Sequence, residues 1–252
     1  MNQRASRSYR TQAIVLKHRE YGEADRVLTL YSLEHGKLQA IAKGVRKLKS
    51  RKAGHLEPFT LVALQLAKGR TWDVVAQAEA QKTFQNIRKE LSLTAQAAYL
   101  LELVDRFSYE EGPNRALFQT LAEGLQRLDD GFSPETVVHY FELRLLSLIG
   151  FKPELNRCLA CEAEIKPEAQ YYSPKLGGVL CPKCFSADPT AWRISLNALK
   201  YLRYFQRSPW SKIKGRVIPV EVEQEIKHLI QHHLTYLLEY NLKTPGFIKS
   251  ID

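Results

Sequence analysis

Four cysteines in two close pairs constrain this chain more than any other feature. Cys158-Leu159-Ala160-Cys161 and Cys181-Pro182-Lys183-Cys184 are C-x2-C motifs separated by nineteen residues. A tetrahedral zinc ion needs four ligands at about 2.3 Å, and two intervening residues let each pair grip from one turn. Roughly fifteen to twenty residues between pairs are enough for a hairpin that brings them together. Tyr171–Leu180 reads as that hairpin, with Gly177-Gly178 near its turn. Four thiolates close the coordination sphere and leave no position for a reactive water, so Cys158, Cys161, Cys181 and Cys184 predict one structural Zn2+ per chain. Matched pairs argue against a single redox motif, and they fit a reducing cytoplasm better than a disulfide framework. The segment they organise, about 151–192, is too small to fold on its own burial.

The second feature is charge. In Leu38–Phe59 an apolar, strand-like run gives way to a glycine-led loop carrying Lys43, Arg46, Lys47, Lys49, Arg51 and Lys52 within ten positions, with no carboxylate among them. Residues 1–55 hold 13 Lys+Arg against 4 Asp+Glu, whereas the remaining chain holds 24 against 23, so nearly all of the net +10 sits in the first fifth. A generally basic surface would spread its charge more evenly. Segregated charge of this kind predicts a polyanionic partner, nucleic acid before membrane. No run of about 18 apolar residues exists to span a bilayer, and MNQRASRSYRTQ lacks the apolar stretch of a secretion signal.

Hydrophobic patterning divides the chain. Tyr9–His18, Val27–Tyr31, Lys37–Lys43, Phe59–Ala67 and Trp72–Ala80 are short, β-branched or aromatic segments bounded by glycine turns. Five strands in this length predict a small closed barrel; an oligonucleotide-binding (OB) barrel fits the count, and so does an SH3-like one. Tyr21, Tyr31 and Trp72 are the barrel aromatics that could stack on bases. From about Phe84 the period becomes helical. Ser92–Tyr109 places Leu93, Ala97, Leu100, Leu101, Val104 and Phe107 on one face, Asn114–Leu128 follows, and a third helix starts at Ser133-Pro134 and runs to Gly150. After the cysteine segment come helices over Ser195–Gln206 and about Val220–Leu242, expected to pack back on the earlier three, and then a tail, Lys243–Asp252. The organisation predicted is α+β: a five-stranded barrel over 1–82, then an all-α domain over 83–252 with the zinc finger, 151–192, inserted.

Catalytic signatures are missing. No Walker loop and no strand-led G-x-G-x-x-G occurs, and the carboxylates are scattered rather than clustered as in nucleases. His55-Leu56-Glu57 with the later cysteines only superficially matches the zinc-deaminase pattern, because the proline lies inside the cysteine pair. His228 and His232 share a helix face without the glutamate of an HExxH site. Lys200, Arg203 and Arg207 align along another helix and could seat an acidic peptide. The reading is a binding protein, not an enzyme.

The order of several motifs is similar to that of the RecO family of bacterial recombination mediators: Glu23-Ala24-Asp25-Arg26, Gly36-Lys37, Ala42-Lys43-Gly44 with Ser50-Arg51, and Leu56-Glu57-Pro58-Phe59. It continues through Tyr99-Leu100-Leu101-Glu102-Leu103, Phe141-Glu142-Leu143-Arg144-Leu145-Leu146, Gly150-Phe151-Lys152-Pro153 and Gly177-Gly178. The resemblance implies an OB-fold domain followed by a helical domain bearing a zinc finger. It implies a protein of the cytoplasm and nucleoid that binds single- and double-stranded DNA and anneals complementary strands. It further implies action with RecR, recognition of the acidic C-terminal tail of single-stranded DNA-binding protein (SSB), and help for RecA in replacing SSB. DNA contact carries over to Lys43 and Arg51 through the family's basic motif, while Arg46, Lys47, Lys49 and Lys52 rest on charge and proximity. The alternative from the residues alone is a zinc-stabilised OB-fold RNA-binding or ribosome-associated factor.

Overall fold

The structure, a computed structural model, describes residues 8–108 and 112–241. The expected tail Lys243–Asp252 lies outside the described residues. The described residues form two compact units that meet in sequence between residues 134 and 135.

In the first unit β1 (Ser8–Tyr21), β2 (Asp25–Ser32), β3 (Gly36–Ala42), β4 (Leu61–Ala67) and β5 (Asp73–Lys82) close a barrel in the order β1-β2-β3-β5-β4. All pairings are antiparallel except β3 with β5. Alternation along β4 turns Val62, Leu64 and Leu66 inward, where they meet Ala13, Val15, Leu28, Leu30, Ala40 and Val75. A single long β1 closes the barrel: its first half pairs with β4 and its second with β2, and the register shifts between Val15 and Lys17. An extra residue there bends the strand. Val45 and Leu56, from the loop between β3 and β4, are 1% and 0% exposed and belong to the same core. Full burial of such a side chain is worth about 1.5–3 kcal/mol, so both feet of the basic loop are pinned to the barrel.

Helices α1 (Gln85–Lys89), α2 (Leu91–Phe107) and α3 (Arg115–Asp129) pack together, with α2 also touching β1. The buried face of α2 holds Ala97, Leu100, Leu101, Val104 and Phe107, as the periodicity predicts. Asn114 caps α3, its side chain accepting the Leu117 N–H at 3.0 Å. Asp105 ties α2 to the barrel through Lys17 at 2.5 Å and Lys37 at 2.9 Å. Burial works against ionisation of Asp105, yet these two ammonium groups outweigh it and hold the carboxyl below the usual range.

The second unit contains α4 (Pro134–Leu148), a three-stranded sheet ordered β7-β6-β8 from β6 (Gln170–Ser173), β7 (Gly178–Leu180) and β8 (Trp192–Ile194), then α5 (Leu196–Arg207), the short α6 (Trp210–Ile213) and α7 (Val220–Tyr236). Leu143 and Leu146 of α4, Leu202 of α5 and Leu229 and Ile230 of α7 converge with Tyr172 of β6 and leave only about 10 Å³ unfilled. Helix α4 thus shares a core with α5 and α7. Residues Thr136 to Leu143 of α4 are all buried, and a helix without an exposed face is a central element. Ser195 caps α5 and is itself held by Glu225 of α7, with both contacts at 2.6 Å.

The Tyr172 hydroxyl lies 3.0 Å from Nδ1 of His233 on α7, in the interior. Burial pushes the His233 imidazole down to about 4, against the opposing pull of the Phe151 carbonyl. An unfolded histidine titrates near 6.5, so this group supports folding fully above that pH and progressively less as the pH falls towards 4. The linked loss is about 3 kcal/mol. The urea-unfolding midpoint of the full chain should therefore fall between pH 7 and pH 4.5, and His233→Gln should shrink that drop. An equal drop in the variant contradicts the assignment.

Candidate nucleic-acid interface and metal centre

The basic loop leaves β3 at Lys43 and rejoins the sheet at Leu61, and it is clamped at both ends by residues of the β1–β2 hairpin. The Asp25 carboxylate accepts the Gly44 N–H at 2.7 Å, at a residue whose φ of +63° favours glycine. The Ala24 carbonyl accepts the Arg46 N–H at 2.9 Å, and two successive turns follow, Lys47 N–H to Gly44 and Ser50 N–H to Lys47. At the other foot Glu57 takes Arg26 at 2.7 Å and His18 at 3.2 Å. Burial opposes the Glu57 charge, but the Arg26 and His18 contacts prevail and lower its pKa. Asp25, Arg26 and Glu57, noted in the sequence only as motif residues, are thus the latches of the loop. A spacing argument has no signal for such long-range pairing.

Lys43, Lys47, Lys49 and Arg51 are exposed and have no carboxylate partner among the described residues. The other two cations are committed. Arg46 pairs with Glu20 at 3.1 Å and donates to the Glu23 carbonyl at 3.3 Å, and half-buried Lys52 donates to the Val75 carbonyl at 3.0 Å. The stretch from Lys43 to Lys52 has no acid of its own, but Glu20 of β1 supplies one.

Of the three aromatics expected to stack on bases, two lie at the rim of the barrel. Tyr21, 45% exposed, meets Trp72 edge-on at 5.1 Å. Arg19, which no sequence signal singled out, lies 5.3 Å from the Trp72 ring and 6.0 Å from that of Tyr21. These residues sit at the β1–β2 and β4–β5 turns. The start of β5 runs beside the end of β3, with Ile41 opposite Val74, so the pair and the basic loop share one end of the barrel. Tyr31 is a correction: it is 2% exposed and part of the core, and burial pushes its hydroxyl up to about 12.

In the second unit the sulfurs of Cys158, Cys161, Cys181 and Cys184 all lie within 4.8 Å of one another, with Cys161 and Cys181 at 3.9 Å. A tetrahedron with metal–sulfur bonds of about 2.3 Å has edges of about 3.8 Å, so the four thiols fit such an ion. Burial disfavours a charged Cys158, but the N–H groups of Cys181, Ala160 and Cys161 turn towards its sulfur and lower its pKa, while the neighbouring thiols raise that of Cys184. The second pair sits on a 3-10 turn, Pro182–Ala187, that follows β7. Gly178 is required by contact: a Cβ there would lie 2.2 Å from the Glu154 carbonyl oxygen, which bonds the Val179 N–H.

Two family models cover nearly the whole chain: Recombination protein O N terminal matches residues 6–84, and Recombination protein O C terminal matches residues 88–245. The chain belongs to the RecO family. It is 38% identical over 243 residues to a DNA repair protein RecO of Dehalococcoides mccartyi strain CBDB1, covering 96% of each chain. It is 37% identical over 246 residues to that of Roseiflexus sp. strain RS-1, covering 97% of this chain and 86% of the relative. For the Bacillus subtilis strain 168 protein the identity is 31% over 244 residues, with 96% and 94% covered. RecO membership supports a role in DNA repair and recombination.

The remaining candidates on this RecO chain are mostly structural. His55 Nδ1 accepts the Ala80 N–H at 3.1 Å, so neither member of the His55–Glu57 pair is free for chemistry. Arg203 turns inward and donates to the Leu155 carbonyl at 2.9 and 2.6 Å, which breaks the stripe and leaves Lys200 and Arg207 exposed on either side. His228 and His232 pack on Trp192 with ring centroids at 4.3 and 3.9 Å. Among the described residues no third ligand joins them, and the cysteines form the only such cluster.

Proposed function

We propose that this chain is a DNA-binding recombination mediator that anneals complementary strands and, with RecR and the acidic tail of SSB, promotes the loading of RecA onto SSB-coated single strands. The observation that carries the reading is the clamped loop. It presents four unpaired cations at the same barrel end as an aromatic pair of exposed Tyr21 and half-buried Trp72, and this combination holds phosphates by charge and bases by stacking. The strand order, with its single parallel pair between β3 and β5, supports an OB barrel, a fold that uses its β1–β2 and β4–β5 loops on oligonucleotides. Lys43, Lys47, Lys49 and Arg51 are the DNA contacts, and Arg46 and Lys52 hold the loop in shape.

Zinc is the ion proposed for the four cysteines, in a closed structural role. Binding to RecR and SSB rests on family membership and is assigned to no residue here. The protein works by binding and positioning strands rather than by turnover.

Trp72→Ala and Tyr21→Ala should each weaken single-strand binding by about 1–3 kcal/mol while leaving the salt dependence nearly unchanged. Fluorescence anisotropy with a labelled oligonucleotide over a range of salt reads both quantities. Wild-type affinity in both variants removes the aromatic pair from the interface. Competition at one salt concentration, between single-stranded DNA and structured RNA of equal length, separates the mediator from an RNA-binding factor; a strong preference for RNA contradicts the proposal.

A further inference from the structure

One side chain of the basic loop is not explained by phosphate binding. Leu48 is wholly exposed, at 106% of its reference area, and it stands between the unpaired Lys47 and Lys49. A single leucine on a surface is ordinary. This one differs in how it is presented. Val45 and Leu56 of the same loop are buried in the barrel, the Gly44–Lys47 turn precedes Leu48 and the Lys47–Ser50 turn encloses it, and Asp25 and Glu57 latch the two feet. The tip is a held apolar point flanked by Lys47 and Lys49.

Resting on the DNA-binding reading above, we propose that Leu48 is a wedge that enters between adjacent base pairs of duplex DNA while Lys43, Lys47, Lys49 and Arg51 hold the phosphates around it. Apolar side chains inserted at a base step partly unstack it and bend the duplex. The energetic cost is smallest where stacking is already weak, at pyrimidine–purine steps and at single-strand to double-strand junctions. The loop therefore selects duplex ends and junctions over uninterrupted helix, a substrate preference that charge alone does not give.

The test uses the full chain and a duplex carrying 2-aminopurine beside a junction, with anisotropy and 2-aminopurine fluorescence followed together. Wild-type protein at saturation should raise the fluorescence severalfold. Leu48→Ala should bind with an unchanged salt slope and an affinity lower by roughly tenfold or less, without the fluorescence rise, and Leu48→Phe should restore the rise. Binding by wild type without a rise, or an equal rise with Leu48→Ala, overturns the wedge while leaving the phosphate-binding loop intact. No anisotropy change at all overturns the DNA reading and the wedge with it. Leu48-dependent binding to vesicles of phosphatidylglycerol and phosphatidylcholine, with none to the duplex, overturns it in favour of a lipid surface.

Discussion

Cys181→Ser is expected to unfold the β6–β7 hairpin and the turns that hold it, release about one zinc per chain, and leave DNA binding by the barrel in place. The size of the effect follows from how short the strands around the cysteines are. Strands β6, β7 and β8 are only 4, 3 and 3 residues long, and Cys161 is exposed while Cys181 and Cys184 are only partly covered. Structural zinc in finger peptides contributes about 10–16 kcal/mol, as much as the whole stability of many domains, about 5–15 kcal/mol. The damage should spread past the ligands, because Tyr172 of β6 enters the core shared by α4, α5 and α7 and meets His233 there. Metal content by atomic absorption, with thermal unfolding followed in parallel, reads the result. A reduced wild-type protein without metal, or a variant that melts like wild type, contradicts a zinc-pinned segment.

Replacing Lys43, Lys47, Lys49 and Arg51 together by alanine should lower DNA affinity at low salt by roughly 100-fold or more and flatten its salt dependence. Each phosphate neutralised contributes about 0.9 to the slope of log K against log salt on duplex and about 0.7 on single strands. Four lost contacts remove about 3.6 and 2.8 respectively if all four touch phosphate. Arg46 is left in place because its pairing with Glu20 makes it part of the loop's scaffold. Exposed lysines and arginines far from the core carry little stability, so the variant should fold as wild type does. An unchanged slope removes the loop from the interface.

Much of this was legible in the residues, for reasons that differ from site to site. The cysteine cluster could be read from spacing because C-x2-C is a local geometry and the hairpin between the pairs is short. The barrel strands could be read because glycine turns bound each of them and burial alternates along β4. What could not be read depends on partners distant in sequence. Nothing near Arg46 signals Glu20 and nothing near Lys52 signals the Val75 carbonyl, so six loop cations that look alike in the sequence separate into four free and two committed; on α5, likewise, nothing near Arg203 signals the Leu155 carbonyl. Tyr31 and Tyr21 are equally plausible as stacking residues until the barrel closes and puts one inside and one at its rim.

The most direct test of the central claim is the rate at which complementary single strands coated with SSB anneal in the presence of this protein. Wild type is expected to accelerate annealing when SSB retains its acidic tail, and the fourfold alanine variant should not. No acceleration by wild type, or equal acceleration by the variant, contradicts a mediator that works through its basic loop.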